Sequence, residues 1–364
     1  MSADHAFGSG APFTLGVEEE LFLVDPLTGA QANASAAVLD RLGAVDGEVE
    51  RELHASQVEL ITGICARTGE AVSALAKLRR AVVDTGAGIL GAGTHPAARE
   101  GDAEITDKAR YERIRELMGD AVATAVGGTH VHVGMPDAAS AIRAFNGLRR
   151  HLPLLQALAA NSPFRHGRDT GLASAREVTM RGWARTGVPR AMRDFEDFEA
   201  SSAALARVAD VPDYTWFWWK LRPHPRLGTV EIRALDAQTS LDDLAAIVAL
   251  AHCLAVHEAT RHDAPDGPPA EILDEASFRA ARYGSRAQLP DDAGRLQPLG
   301  ELLARALDAV AGQARELGCE AELDATRRIV EQGGGAGRQR RAYALGGMAM
   351  LLRETATATA ATGA

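Results

Sequence analysis

The sequence predicts an α+β fold whose sheet turns one polar face toward a cleft. Two observations lead there. Apolar strand-like segments carry charged residues at alternate positions, as in FTLGVEEELFLV (13–24) and GTVEIRALD (228–236), the pattern of a sheet with one wet face. Helical segments separate them, as from Gly69 to Ala87, where Val72, Leu75, Ala76, Val82 and Val83 recur with a period near 3.6. Strands parted by helices also suit a parallel sheet, but the charges at alternate strand positions favour α+β. With 364 residues, 46% hydrophobic and 24% charged, the chain has material for a sizeable core.

Residues 1–12 are rich in Gly, Ala and Pro and are expected to be a flexible N-terminus. Phe13–Val24 reads as a strand, with PLTG (26–29) as the turn after it. A short helix is expected over 35–43, a strand over Val58–Ile64, the helix from Gly69 to Ala87 and a short strand near Ile89. A charged helix follows at Lys108–Met118, then a strand at Ala121–Met135 and a long helix from Asp137 to Ala160. Residues 162–189 are rich in Arg, Gly and Pro and lack periodicity, which in a compact domain marks a functional or disordered loop. Asp194–Val208 reads as a helix, and Tyr214–Leu221 and Gly228–Leu235 as strands joined by RPHPR. Ser240, with Asp243 three residues on, caps a helix running to Ala259. Helices are expected over 270–282, 298–317, 320–332 and 337–353, GGGAG (333–337) breaking the last pair. Residues 13–353 are expected to form a single domain, mostly helical from about 268, and 354–364 a disordered tail.

The charge balance, 39 basic against 49 acidic residues, is −10 and argues against a nucleic-acid partner. Only Lys77, Lys108 and Lys220 are lysines, so arginine carries nearly all the positive charge and favours bidentate anion contacts. Cys65, Cys253 and Cys319 lie far apart, with no CxxC spacing, as in a reduced cytosol. The opening MSADHAFGSGAP has neither the basic nor the apolar region of a signal peptide. The longest apolar run, the 13 residues Leu244–Val256, is too short to span a bilayer and reads as a buried helix. A soluble, cytoplasmic protein without a membrane partner is expected, and a homodimer is the expected assembly on base rates.

Several motifs carry no chemistry. GAGILG (86–91) matches a dinucleotide fingerprint, but a helix precedes it and a strand follows, the reverse of what that site needs. Neither a P-loop nor a G-x-S-x-G elbow occurs. WFWW (216–219) reads as core or interface packing.

The carboxylates are the stronger signal. Strand alternation puts Glu18 and Glu20 on one face with Phe22, and Val17, Glu19 and Leu21 on the other. Two carboxylates about 7 Å apart on one face repel unless a cation sits between them, and a hard divalent ion such as Mg²⁺ suits carboxylate oxygens. A solvated edge strand is the alternative. Under the metal reading Glu20→Gln abolishes function and Glu19→Gln keeps most of it. ELHASQVELITG (52–63) adds Glu52 and Glu59, GGTHVHVGM (127–135) adds His130 and His132 on one face, and GTVEIRALD adds Glu231 and Arg233. The HxH spacing by itself suits zinc equally, which leaves a zinc hydrolase open. Such a face is a plausible cradle for Mg²⁺ and a polyphosphate, with Arg165, Arg168, Arg176, Arg181 and Arg185 available for its oxygens.

In their order along the chain, FTLGVEEELFLVD, ELHASQVELITGICA, GAGTHP, RYERI, GTHVHVG, the NSPFRHGRDTGLASARE region, LRPHPRLGTVEIRALDAQTSL and ARYG resemble the bacterial carboxylate-amine ligases called glutamate–cysteine ligase type 2, within the glutamate–cysteine ligase and glutamine synthetase superfamily. The resemblance covers residues 13 to about 284, with weaker helical similarity towards 350. It implies a catalytic domain with an antiparallel sheet of about six strands, flanked by helices, whose concave face binds ATP and Mg²⁺, or Mn²⁺ in its place. It implies a γ-glutamyl phosphate that an amine attacks to give an amide. Its metal positions fall on Glu18, Glu20, Glu52, Glu59, His130 and Glu231. Glu52 stands where distant relatives often have Asp, and it and Glu59 are implied as metal or substrate-amine ligands. His130 is implied as a nucleotide contact also, Arg233 as a phosphate or carboxylate contact, and Arg176 and Arg222 as further anion contacts. The implied substrates are glutamate or a similar carboxylate and an amino acid or other amine. A member of the fold that binds ligand without turnover is the other alternative.

Overall fold

The computed structural model describes residues 5–261 and 267–361. In chain order it contains β1 (Leu15–Val24), α1 (Ser35–Arg41), β2 (Glu48–Arg51), β3 (Gln57–Ile61), α2 (Thr68–Asp84), β4 (Gly88–Leu90), α3 (Ala109–Met118), β5 (Gly128–Gly134) and α4 (Ala138–Ala159). A two-residue hairpin, β6 (Phe164–Arg165) and β7 (Arg168–Asp169), precedes α5 (Ala175–Met180) and α6 (Phe195–Ala209). Next come β8 (Leu221–His224), β9 (Thr229–Asp236), α7 (Leu241–Thr260) and α8 (Ala270–Tyr283). A second hairpin, β10 (Gln288–Pro290) and β11 (Leu296–Pro298), leads into α9 (Leu299–Ala309), α10 (Ala311–Leu317), α11 (Glu320–Gln332) and α12 (Gly334–Ala360).

The fold is α+β, as the strand charges predict. A seven-stranded antiparallel sheet runs β2-β3-β1-β5-β9-β8, and β4 pairs with the far end of β1. Its register builds the polar face: Glu18 lies opposite His130, Glu20 opposite Glu59, His132 opposite Glu231, and Glu231 opposite Arg222. The other face carries Val17, Leu21, Val131, Val133 and Ile232, all buried, and is covered by α2, α4 and α7. Glu19 points into that core and pairs with Arg79 of α2. Helix α7 is long and apolar enough to cross a membrane, but it lies buried between α4, α11 and the sheet. It is the core helix that the Leu244–Val256 run predicts.

Several elements differ from expectation. WFWW does not continue a strand. Asp213 caps a single 3-10 turn at Tyr214–Trp216, and Trp216, Phe217 and Trp219 are buried. The strand starts only at Leu221 and includes Pro223, which the sheet tolerates because β8 is an edge. The strand expected from Ala121 begins at Gly128, after a 3-10 turn over Gly119–Val122. Strand β2 and the β10–β11 hairpin are too short and polar to register in the sequence. Helix 298–317 divides at Val310.

Of the segments expected to be loose, residues 5–12 and 354–361 are tied into the fold, and residues 1–4 and 362–364 lie outside the described residues. In place of a loose segment, Ala6 and Gly8 donate backbone hydrogen bonds to Pro225 and Met135, and Phe7 is buried against Phe195. In place of a tail from 354, α12 continues to Ala360, and its Thr355 and Thr359 are buried. The helix kinks at Gly346–Gly347, and the glycine run separates it from α11 as expected, with Gly333 between them at φ +89°.

Candidate functional site

The polar sheet face floors a cleft of about 480 Å³, lined by Glu20, Glu52, Glu59, His130, Arg176, Arg222 and Arg233. Glu18 and His132 border an adjoining, more apolar pocket of about 270 Å³ beside Gly16, Gly134 and Gly228. Strand alternation delivers these side chains, and two further devices bring in Arg176. The buried Asp236 carboxylate accepts from Ser162 Oγ at 2.6 Å, Ser174 Oγ at 2.8 Å and Asn161 N at 2.9 Å. Ser174 in turn caps α5, so the helix carrying Arg176 is fixed to the end of β9. Gly128 lets that arginine approach, because a Cβ there would lie 2.6 Å from Arg176 Nη2 and 3.0 Å from a Glu20 oxygen.

The sheet brings five of the six expected metal positions, Glu18, Glu20, Glu59, His130 and Glu231, to one face. His130 Nδ1 lies 2.9 Å from Glu18, and its Nε2 lies 3.5 Å from Glu20. His132 Nε2 lies 3.2 Å from Glu18 and 3.7 Å from Glu231, yet its direction leaves it without a hydrogen bond. Two groups of potential ligands share His130: Glu18, His130 and Glu231, and Glu20, Glu59 and His130, each with ligand atoms within 4.8 Å of one another. Glu52 stands apart from both groups, lining the cleft with its carboxylate bonded to the Leu53 amide.

The electrostatics divide along the face. Burial would raise Glu18, but the charge of His132 and the hydrogen bond with His130 hold it well below the usual carboxylate range. Burial likewise opposes ionisation of Glu231, and Arg222, Arg233 and His132 more than offset it. Arg222 donates to Glu231 at 2.5 Å, and Arg233 grips the other oxygen. At the other end burial and the charge of Glu20 push Glu52 up to about 7. Burial and the charges of Glu18, Glu52 and Glu20 raise Glu59 well above its usual value. Too many carboxylates meet there for the cations at hand. That shortage, with oxygen donors and one shared imidazole, fits hard divalent ions better than zinc.

Of the five arginines of the 162–189 segment, Arg176 alone lines the cleft. Arg165 donates to Thr179, and Arg185 to the Trp216 carbonyl. Arg181 pairs with Asp274, and Arg168 is exposed. Lys108, and Arg110 and Tyr111 of the RYERI stretch, also line the cleft with Trp183 and Trp218, and the sequence does not single them out as site residues. The cationic start of α3 was their signal, but a charged helix face carries no address.

Comparisons with known proteins agree with this architecture. Glutamate–cysteine ligase family 2 matches residues 14–358. A Rubrobacter xylanophilus protein provisionally named glutamate–cysteine ligase 2-3 is 40% identical over 92% of this chain and 93% of its own length. A Gloeobacter violaceus protein provisionally named glutamate–cysteine ligase 2 is 34% identical over 93% of this chain and 94% of its own. Among solved structures, the Francisella tularensis glutamate–cysteine ligase in complex with AMP superposes with a TM-score of 0.69 at 14% identity, over 96% of this chain and 89% of that one. A bifunctional glutathione synthetase from Pasteurella multocida gives 0.68 at 18% identity, over 96% of this chain and 51% of that one.

Proposed function

The chain belongs to glutamate–cysteine ligase family 2, and on that premise we propose that it is an ATP-dependent carboxylate–amine ligase. It joins glutamate, or a similar carboxylate, to an amine through an acyl phosphate and releases ADP and phosphate. The names of the relatives supply the substrate class, and the AMP bound by the Francisella enzyme supports nucleotide use. The observation that carries the reading is the single sheet face on which Glu18, Glu20, Glu59, His130 and Glu231 converge beside Arg222 and Arg233.

Glu18, His130 and Glu231 would hold one Mg²⁺ or Mn²⁺, and Glu20 and Glu59 with His130 a second. Bound there, the ions supply neutralising charge between the ATP phosphates and the anionic donor. The protein's own groups do the rest. Arg233 and Arg176 face the transferring phosphoryl group, whose charge spreads over its outer oxygens. Arg222 keeps Glu231 ionised and oriented. The Glu52 carboxylate, pushed up to about 7, is placed to take the proton that the attacking amine loses. No protein nucleophile is needed. A zinc hydrolase loses support, because neither group of ligand atoms among the described residues contains both His130 and His132.

The test is product analysis. With Mg²⁺, ATP, glutamate and a panel of amines that includes cysteine, the protein should release ADP and phosphate in step with the amide. AMP as the coupled product would overturn the acyl-phosphate route.

A further inference from the structure

Beside the cleft lies a second chamber of about 280 Å³. The two share a wall made of Arg176, Met180, Trp218 and Arg233. Their other linings differ in charge. Glu20, Glu52 and Glu59 border only the cleft. Arg181, Lys220, Glu177, Asp274 and Thr186 border only the chamber. Counting the shared arginines, four cationic side chains line the chamber against two carboxylates.

The chamber cations are fixed in place. Lys220 Nζ donates to Glu177 at 2.5 Å and to Ser277 Oγ at 2.8 Å, and Gln156 completes the network through Glu177 and Ser277. Arg181 lies 3.0 Å from Asp274 and 3.6 Å from Glu177. The shared wall holds an unused donor, since Arg176 is 5% exposed and its buried Nε has no hydrogen-bond partner. A buried guanidinium N–H without a partner is costly and is satisfied by an anion.

We infer that this chamber is an oxyanion site, which receives the orthophosphate left by amide formation and releases it away from the nucleotide. The source of the anion rests on the ligase reading; the affinity of the chamber for it does not. As the nitrogen–carbon bond forms, the bond from the acyl carbon to the phosphate oxygen breaks. Orthophosphate then departs with that electron pair, and the amine proton goes to Glu52. The anion is left on Arg176 and Arg233, with carboxylates on one side and the cationic chamber on the other. The field draws it into the chamber.

Two variants outside the catalytic face test this: Arg181→Gln removes a chamber cation, and Thr186→Trp fills the space. Equilibrium dialysis with radiolabelled orthophosphate, without nucleotide or metal, should show binding to the wild type that either variant weakens by about tenfold. During turnover, a fluorescent phosphate sensor in stopped flow should show Thr186→Trp delaying free phosphate behind amide, while the first turnover of amide keeps its wild-type rate. Absence of orthophosphate binding to the wild type, or equal affinity in all three proteins, would overturn the assignment. Dialysis decides the matter even if no substrate pair releases ADP, in which case the ligase reading fails and the oxyanion site stands or falls separately.

Discussion

Glu19 and Arg79 form a two-pronged ion pair at 2.6 and 2.9 Å, with both side chains wholly excluded from solvent. Arg79 also donates to the carbonyls of Gln238, Thr239 and Thr359. This one guanidinium ties β1 to the segment after β9 and to the end of α12.

The pair changes what Glu19→Gln should do. Read from strand alternation alone, that variant is a mild neighbour control. In the structure it strands a buried arginine charge, which costs about 3–5 kcal/mol. Urea denaturation should show that loss. Replacing Glu19 and Arg79 together by leucine and methionine should recover part of it, since a buried pair removed whole costs far less than one partner removed.

Glu20→Gln should act in the opposite way. Glu20 faces Glu59 across the strand pair and accepts from the Gly128 amide at 2.6 Å. A glutamine keeps an acceptor for that amide and removes one of two facing like charges. Without metal the variant should melt at the wild-type temperature or slightly above it. With saturating Mg²⁺ and ATP it should show no ADP release. Wild-type turnover would dismiss β1 as a metal strand.

The raised Glu52 and Glu59 make metal uptake acid-sensitive. Each holds a proton in the metal-free fold at pH values where the unfolded chain has lost it, Glu52 until about 7. Mg²⁺ binding should therefore release protons at pH 6.5 and weaken as pH falls below 7. Calorimetry in buffers of different ionisation enthalpy measures that release. By the same linkage, these two groups make the metal-free fold more stable as pH falls from 7 towards 4.5.

His95 contributes the opposite slope. It is 4% exposed, its Nε2 bonds the Gly29 carbonyl at 2.9 Å, and its Nδ1 accepts from the Ala97 and Ala98 amides. Burial lowers it to about 4. The unfolded chain takes up a proton below 6.5 and the fold does not, so stability falls between pH 6.5 and 4, by ~3 kcal/mol in all. Denaturation of the metal-free proteins across that range should show His95→Asn, less stable at pH 7, closing its stability gap to the wild type as pH falls.

The core strands and the site were legible because period-2 charge in an apolar frame is hard to produce by chance. That alternation puts Glu18, Glu20, Glu59, His130 and Glu231 on strand faces, and the family resemblance supplies their grouping as one metal set. The roles of Glu19 and Glu52 were not legible. A carboxylate on the apolar face needs a partner, and Arg79 lies 60 residues away in sequence. Nothing local shows that Glu52 stands outside the ligand groups. The aromatic run at 216–219 misled because strand propensity and core packing favour the same residues, and the cap at Asp213 decides between them. The Thr/Ala repeat after 354 resembles a loose tail in composition alone, while Thr359 accepts from the Gly91 amide through its hydroxyl and from Arg79 through its carbonyl.

Those partners have a consequence for how the protein is made. Thr359 leaves the ribosome 280 residues after Arg79, an interval of roughly 15–60 s at ordinary synthesis rates. Throughout it the Glu19–Arg79 pair lacks its final cover, and α7, made only late in that interval, waits for α11 to complete its surroundings. Folding around the first strand is thus completed by a residue translated long after it. A chain that stops before residue 355 leaves Arg79 short of one carbonyl acceptor and the buried Gly91 amide without its hydroxyl partner.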